Sequence, residues 1–278
     1  MVELSARDAP AFLPFISIFP MNIRPLRLVS LLGLALLGAA SLSAQESPVF
    51  ELRTYTAMPG KHANVLARFR DHTLKLFEKH GMTNLGYAVP MDAKDGAGEK
   101  LVYLLQHKSR EAAKESFKAF GADPAWKAVA KASEVDGKIV AKIESVFLTQ
   151  VPYSPQVANY DGPPRVFEMR TYTTPPGKVA AIDARFRDHT IALFAKHGMT
   201  HLGYYHPIDA DKGAGSTLIY FLAHKDREAA AKSFAAFRAD PDWIAARAAS
   251  EKAAGGPLTV KDGVKSVFLV PTDFSPVK

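Results

Sequence analysis

The alternation of apolar and polar residues predicts the first regular elements of the chain. The stretch from Val49 to Thr56 alternates and is rich in β-branched and aromatic residues, which is typical of a strand, and Pro59-Gly60 ends it. From Lys61 to His80 apolar residues recur at helical spacing, and Gly81 follows where a glycine commonly ends a helix. A strand, a turn and a helix are therefore predicted in that order.

The same patterns predict two more strands, a helix and a last strand. Thr83 to Val89 and Leu101 to His107 alternate like strands, and a helix is predicted from Ser109 to Phe120. A further helical piece begins at Asp123-Pro124, and the last strand covers Lys142 to Thr149. The resulting order, βαββαβ, is that of ferredoxin-like units, in which helices cover one face of an antiparallel sheet.

This unit occurs twice. The segment VFELRTYTAMPGK, which starts at Val49, returns 117 positions later at Val166 as VFEMRTYTTPPGK. RFRDHTLKLFEKHGMTNLGY, from Arg68, returns from Arg185 as RFRDHTIALFAKHGMTHLGY. We predict one repeat over residues 48–150, a Pro-rich linker over 151–165 and a second repeat over 166–272.

A single unit leaves one face of its sheet uncovered, and two units placed sheet to sheet remove that face from water. We therefore expect an α+β fold in which the two βαββαβ repeats form an intramolecular pseudo-dimer, either a sandwich or an α+β barrel, of about eight strands with helices outside. Two independent units, each pairing with another chain, are the alternative. Further homo-oligomerisation of the barrel stays open.

The first 44 residues are predicted to be removed or misassigned. Arg24 and Arg27 precede an apolar run from Leu28 to Leu42, and the small residues Ser43 and Ala44 follow, which is the layout of a secretory signal peptide over about 21–44. Residues 1–20 do not resemble its basic start, so we expect Met21 to be the true start. An exported protein, periplasmic or secreted, is predicted, with no stable membrane span in the mature chain.

Composition excludes several classes of protein. The 278 residues contain no cysteine, so disulfides, thiolate metal sites and a cysteine nucleophile are excluded. The formal net charge of +7 is modest and scattered along the chain rather than clustered, so no nucleic-acid partner is expected.

The charged residues of the first strand share one face. Glu51, Arg53 and Tyr55 alternate with the apolar Phe50 and Leu52. We expect helices to cover the apolar face, so that the Glu–Arg–Tyr face looks into the space between the two sheets. Either each Glu–Arg pair is a structural ion pair, or it binds a ligand or acts in acid–base chemistry.

The second and third strands extend this predicted inter-sheet cavity with tyrosine and histidine. Such a cavity suits a small aromatic or carbonyl-bearing ligand. The candidate residues of the two repeats are Glu51, Arg53, Tyr55, Tyr87, Tyr103, His107, Glu168, Arg170, Tyr172, Tyr204, His206, Tyr220 and His224. His107 alternatively lies at a solvated strand end. His72 and His189 fall on the apolar stripe of their helix and are expected to be core residues.

No metal site is predicted. His197 and His201 are four residues apart, but Gly198 ends the helix between them, so they cannot share a helical face as zinc-binding pairs do. No cofactor is predicted, although haem ligation by one of the histidines stays open. Catalytic residues are not assigned.

Several motifs together resemble the NIPSNAP family, whose members are similar to the dimeric α+β barrel superfamily. The motifs are FELRTYT with PGK at 50–61, RFRDHT at 68–73, HGM at 80–82, LGY at 85–87, Tyr103, His107, Arg110 and Asp123-Pro124 with Trp126. They recur in the second repeat. The resemblance implies tandem NIPSNAP domains with a ferredoxin-like barrel, and it implies no particular reaction.

Three functions are compatible with this reading. The first is an exported protein that binds a small molecule or a partner in the inter-sheet cavity. The second is a monooxygenase-like enzyme, because the superfamily that the chain resembles includes haem-degrading and cofactor-free monooxygenases. The third is a module that only mediates protein contacts.

Overall fold

The computed structural model describes residues 48–156 and 162–278. The predicted signal peptide and upstream segment, and positions 157–161 of the predicted linker, lie outside the described residues.

Eight strands form one closed antiparallel barrel. They are β1 (Val49–Ala57), β2 (Thr83–Pro90), β3 (Lys100–His107), β4 (Val140–Gln150), β5 (Val166–Thr173), β6 (Thr200–Pro207), β7 (Thr217–His224) and β8 (Val264–Pro271). Their order around the barrel is β1-β3-β2-β8-β5-β7-β6-β4. The predicted βαββαβ order and the pseudo-dimeric α+β barrel are confirmed.

Each repeat contributes four helical segments to the outside of the barrel. They are α1 (His62–Arg68), α2 (Leu74–Lys79), α3 (Arg110–Ala122) and α4 (Pro124–Ser133), then α5 (Val179–Arg185), α6 (Ile191–Lys196), α7 (Arg227–Ala239) and α8 (Pro241–Ala253). Ser109 and Asp226 cap α3 and α7 by accepting a hydrogen bond from the backbone N–H three residues on. The helices therefore begin where the sequence supplies capping side chains.

A π-helical turn interrupts the first helix of each repeat. It covers Phe69–Thr73 between α1 and α2, and Phe186–Thr190 between α5 and α6. The wider turn changes which side chains face the sheet, so Thr73 is buried and His72 is exposed. The prediction that His72 and His189 are core residues is therefore wrong, because it assumed an uninterrupted 3.6-residue period.

The two repeats are joined by short strand pairings and by exchanged segments. β2 pairs with β8 and β4 pairs with β6. After β4, the chain continues onto the second repeat, where Val151 N–H donates to Tyr204 O (3.1 Å). After β8, Thr272 N–H donates to Tyr87 O (2.9 Å) in the same way. Each repeat is thus completed by a segment that follows the last strand of the other.

The core divides into a lumen and two outer layers. Phe50 and Leu52 belong to the cluster that fills the lumen, together with residues of both repeats. Tyr55 and Tyr103 instead pack against Phe69 of the helical layer. The predicted orientation of the strand faces is therefore reversed. A closed eight-stranded barrel holds side chains in contact from all sides, so its interior takes the apolar face, and the helices cover the face with the paired charges.

Candidate functional site

The lumen of the barrel contains a partly enclosed apolar cavity. It holds about 170 Å³ of free space. Leu52, Val102, Leu104 and Phe167 are among the side chains around it. Further lining residues are Leu85, Gly86, Tyr87, Ala88, Tyr103, Leu202, Tyr205, Phe221, Leu269 and Val277. An inter-sheet cavity is therefore present, but apolar side chains rather than charged ones make up most of its wall.

The charged residues predicted for the cavity form a buried cluster under α3. Glu51 pairs with Arg53, and Ser145 Oγ donates to Glu51 Oε1 (2.5 Å). His107 Nε2 donates to Glu51 Oε2 (3.1 Å). Arg53 Nε donates to the Tyr103 hydroxyl (2.9 Å), so this guanidinium bridges an acid and a phenol. The alternative that His107 lies at a solvated edge is wrong, since it is 2% exposed.

The second repeat reproduces this cluster. Arg170 Nη1 donates to Glu168 Oε1 (2.5 Å), and His224 Nε2 donates to Glu168 Oε2 (3.0 Å). Arg170 Nε donates to the Tyr220 hydroxyl (2.9 Å), and its guanidinium lies over the ring of Phe234, 4.4 Å from the centroid. Each repeat therefore holds one buried carboxylate with the same set of hydrogen-bond donors, and a phenylalanine ring lies against the guanidinium of the paired arginine.

The electrostatics of the clusters favour the charged forms of acid and base. Burial alone would raise the pKa of Glu51, but the hydrogen bond from His107 and the charge of Arg53 outweigh it, so this pKa lies below its usual value. Burial would lower the pKa of Arg53, yet the neighbouring tyrosines and Glu51 raise it. Burial raises the pKa of Tyr103 well above its ordinary value. The cluster therefore consists of a buried ion pair between Glu51 and Arg53 and a neutral phenol, Tyr103.

One atom in each cluster has no hydrogen-bond partner. His107 Nδ1 and His224 Nδ1 are buried and unpartnered among the described residues. Because Nε2 donates to glutamate, a neutral ring leaves Nδ1 as an unprotonated acceptor.

The remaining predicted residues surround these clusters. Tyr55 and Tyr172 contact the rings of Tyr103 and Tyr220 at centroid distances of 5.5 and 5.4 Å. Tyr87 and Tyr204 are stacked on the same two rings at 5.0 Å. Of the predicted residues, only Tyr87 and Tyr103 border the lumen cavity, and their rings belong to the helix-covered core.

His206 lies apart, in a polar trio that only the second repeat has. Its Nδ1 donates to Thr217 O (2.6 Å) and its Nε2 lies 3.0 Å from both carboxylate oxygens of Asp183. The Tyr153 hydroxyl donates to Asp183 Oδ1 (2.5 Å). Burial lowers the pKa of His206, but the bond with Asp183 and the Thr217 carbonyl reverse this and raise it. Both ring nitrogens of His206 therefore face acceptors, an arrangement that favours the imidazolium.

Sequence reasoning missed most of the residues that line the cavity. Leu52 was assigned to the helix-covered face, and Tyr205, which stands where the first repeat has Ala88, was not among the candidate residues. Burial raises the pKa of the Tyr205 phenol to about 12, so this side chain is neutral. The signal was present in the difference between the repeats, since Tyr205 and Ala88 both border the cavity.

The part of the chain that the structure describes offers no metal centre. Within residues 48–156 and 162–278, no group of three or more histidine and acidic side chains is placed to hold a metal ion. In the same residues, no helix has the length and apolar character needed to cross a bilayer.

The fold is that of a dimeric α+β barrel built within one chain. The sequence matches the NIPSNAP family over residues 50–155 and 167–276, so the chain belongs to this family with two tandem domains. No curated protein matches the chain significantly.

Solved structures are similar to one repeat or to the whole barrel. A NIPSNAP-like domain protein from Burkholderia xenovorans is 21% identical over 40% of this chain and 89% of its own, with a TM-score of 0.35. A NIPSNAP family protein of unknown function from Agrobacterium tumefaciens is 20% identical over 41% of this chain and 94% of its own, with a TM-score of 0.35. A putative monooxygenase from Fusobacterium nucleatum is 13% identical, covers 84% of this chain and 98% of its own, and has a TM-score of 0.51. This last likeness shows the shared barrel fold alone.

Proposed function

We propose that this protein binds a small apolar molecule inside its barrel. The observation that carries the proposal is the lumen cavity of about 170 Å³ with its largely apolar wall. An apolar cavity of roughly 150 Å³ in a protein core stays dry and takes up molecules of the size of benzene. A ligand of that size leaves water for aliphatic and aromatic contacts. Each Å² of its apolar surface that is removed from water contributes about 25 cal/mol to the free energy of binding.

The buried clusters support binding rather than chemistry in the lumen. Glu51 and Glu168 are each 1% exposed, and they are held by hydrogen bonds on the helix-covered side of the sheet. The wall of the sheet separates these charges from the cavity. The charged residues thus hold strands and helices together, while the lumen offers only shape and apolar surface.

Calorimetry with small probes tests this function. We expect benzene, phenol or 1-pentanol to bind and to raise the unfolding temperature, since a ligand that binds only the folded state stabilises it. Val102→Phe projects a ring into the cavity and should abolish binding. Its matched control is Ile219→Val at the equivalent position of the second repeat, which does not line the cavity and should leave binding unchanged. Absence of binding by all three probes contradicts the proposal and favours a module that mediates only protein contacts.

A second candidate is a monooxygenase-like activity, favoured by the unpartnered Nδ1 atoms of His107 and His224. The Fusobacterium structure of the same fold carries the name putative monooxygenase. A cofactor-free reaction of this class places one atom of O₂ on the substrate and releases the other as water with two substrate hydrogens. Oxygen uptake with phenols tests it, and uptake that survives both Arg53→Ala and His107→Ala excludes these residues from the mechanism.

We further infer from the apolar run at 28–42 that the protein acts outside the cytoplasm. Cell fractionation of chains begun at Met1 and at Met21 tests this. A tagged chain begun at Met21 that stays in the cytoplasm contradicts both the export and the proposed start.

A further inference from the structure

Resting on the proposed function, we infer that the ligand is a single aromatic ring of benzene or phenol size. We infer further that it occupies the place that the Tyr205 side chain fills in the other half of the barrel. The chain has an internal two-fold symmetry, in which each position from Val49 to Ser133 of the first repeat has an equivalent 117 residues later.

The half of the lumen that belongs to the second repeat is filled by Tyr205. Its ring contacts Phe50, with 5.0 Å between centroids, and also meets Phe221 at 6.3 Å. The side chain lies against Gly203, whose φ of +136° suits only glycine and where an added Cβ would be 2.4 Å from the Tyr205 hydroxyl. Phe50, Phe221 and Gly203 therefore pack around the phenol ring of Tyr205 in this half of the lumen.

The half that belongs to the first repeat lacks this ring. Ala88 stands at the position of Tyr205, and the equivalent of Phe50 is Phe167, which lines the cavity. Gly86, the equivalent of Gly203, would have only Ser275 Oγ within 4.0 Å of an added Cβ. The cavity is thus the space left when the tyrosine of one half is an alanine in the other.

This relation defines the chemical class of the ligand. A ring placed by the two-fold operation would lie beside Phe167 as Tyr205 lies beside Phe50, and paired aromatic rings attract each other beyond the effect of their buried area. The other neighbours are aliphatic, so a charged substituent would be left unpaired in the lumen. One neutral ring per chain is the expected occupant.

The test compares four proteins with phenol and benzene as aromatic probes and 1-pentanol as a linear probe of similar size. We expect one aromatic site per chain in the original protein. Ala88→Tyr places a phenol in the cavity and should weaken aromatic binding by about tenfold or more, equal to about 1.4 kcal/mol. Tyr205→Ala should create a second site, and Ala88→Tyr/Tyr205→Ala should restore one site with the total core volume conserved.

The results distinguish the aromatic class of the ligand, its place in the lumen and the proposed function itself. Binding of 1-pentanol without binding of phenol or benzene overturns the aromatic inference and leaves the proposed function standing. Undiminished phenol binding by Ala88→Tyr overturns the assigned place. Binding by none of the probes in the original protein contradicts the proposed function, and the inference with it. If Tyr205→Ala does not fold, the Ala88→Tyr measurement still decides, because it adds volume where space exists.

Discussion

The two repeats keep one buried cluster unchanged and replace a second, half-buried cluster completely. The Glu–Arg–His cluster, which lies under α3 in the first repeat and under α7 in the second, has the same partners in both halves. The second cluster lies where each repeat contacts the segment that follows the last strand of the other repeat. In the first repeat it consists of the apolar residues Leu66, Val89 and Phe274. In the second repeat the equivalent residues are Asp183, His206 and Tyr153. A buried polar group without a partner is costly, so such residues change as a group or not at all.

The unchanged cluster should show the largest effect on stability. Glu51→Ala leaves Arg53 buried beside Tyr103 without its acid, and breaking a buried ion pair typically costs about 3–5 kcal/mol. Glu168→Ala should cost the same in the second repeat. The measurement is the free energy of unfolding by denaturant. Glu144→Ala, which breaks an exposed pair with Lys142, is the control and should cost under about 1 kcal/mol. Unequal losses for Glu51→Ala and Glu168→Ala would show that the clusters differ.

The order of elements and the closure of the barrel were predictable from the sequence. Strand alternation from Val49, the glycine after each helix and the repeat at Val166 carry this information locally. The resemblance to the NIPSNAP family was likewise confirmed, because its motifs are spread over both repeats.

The orientation of the strand faces was not predictable in the same way. Both faces of β1 are buried, so hydrophobicity does not distinguish lumen from helix-covered side. The hydrogen-bond donors to Glu51 on the neighbouring strands, His107 and Ser145, make the helix-covered side favourable for the charge. The π-helical turns were missed for a related reason, since one extra residue in a single turn leaves no clear mark on the apolar pattern between Lys61 and His80.

Substitution by alanine should cost very different amounts of stability at the two equivalent glycines of β2 and β6, Gly86 and Gly203. Gly203→Ala places a Cβ at a left-handed φ of +136° and against the Tyr205 hydroxyl, so we expect a loss of about 1–3 kcal/mol. Gly86→Ala meets only an ordinary contact, and the reduced freedom of the unfolded chain should leave stability within about 1 kcal/mol of the original. Thermal unfolding of both variants measures this, and equal losses would contradict the asymmetry of the lumen.

The polar trio should be replaceable only as a whole. Asp183→Leu alone leaves the Tyr153 hydroxyl and His206 without their acceptor, at a cost of about 1–3 kcal/mol. The triple change Tyr153→Phe, Asp183→Leu and His206→Val copies the apolar contact of the first repeat and should recover most of that loss. Denaturant unfolding of the single and triple variants gives the coupling between the sites. Additive losses would show that the three side chains act independently.

The smallest expected effect is a pH dependence that only the second repeat has. The Asp183 carboxylate and the Thr217 carbonyl raise the pKa of His206, so the imidazolium stabilises the folded state. This stability is fully present below the pKa of an unfolded histidine, near about 6.5, and is lost as the pH rises through the higher pKa of the folded state. The free energy of unfolding of the original protein, minus that of the triple variant, should therefore fall as the pH is raised from about 6 to 8. A difference that stays constant or rises over this range contradicts the assigned charge of His206.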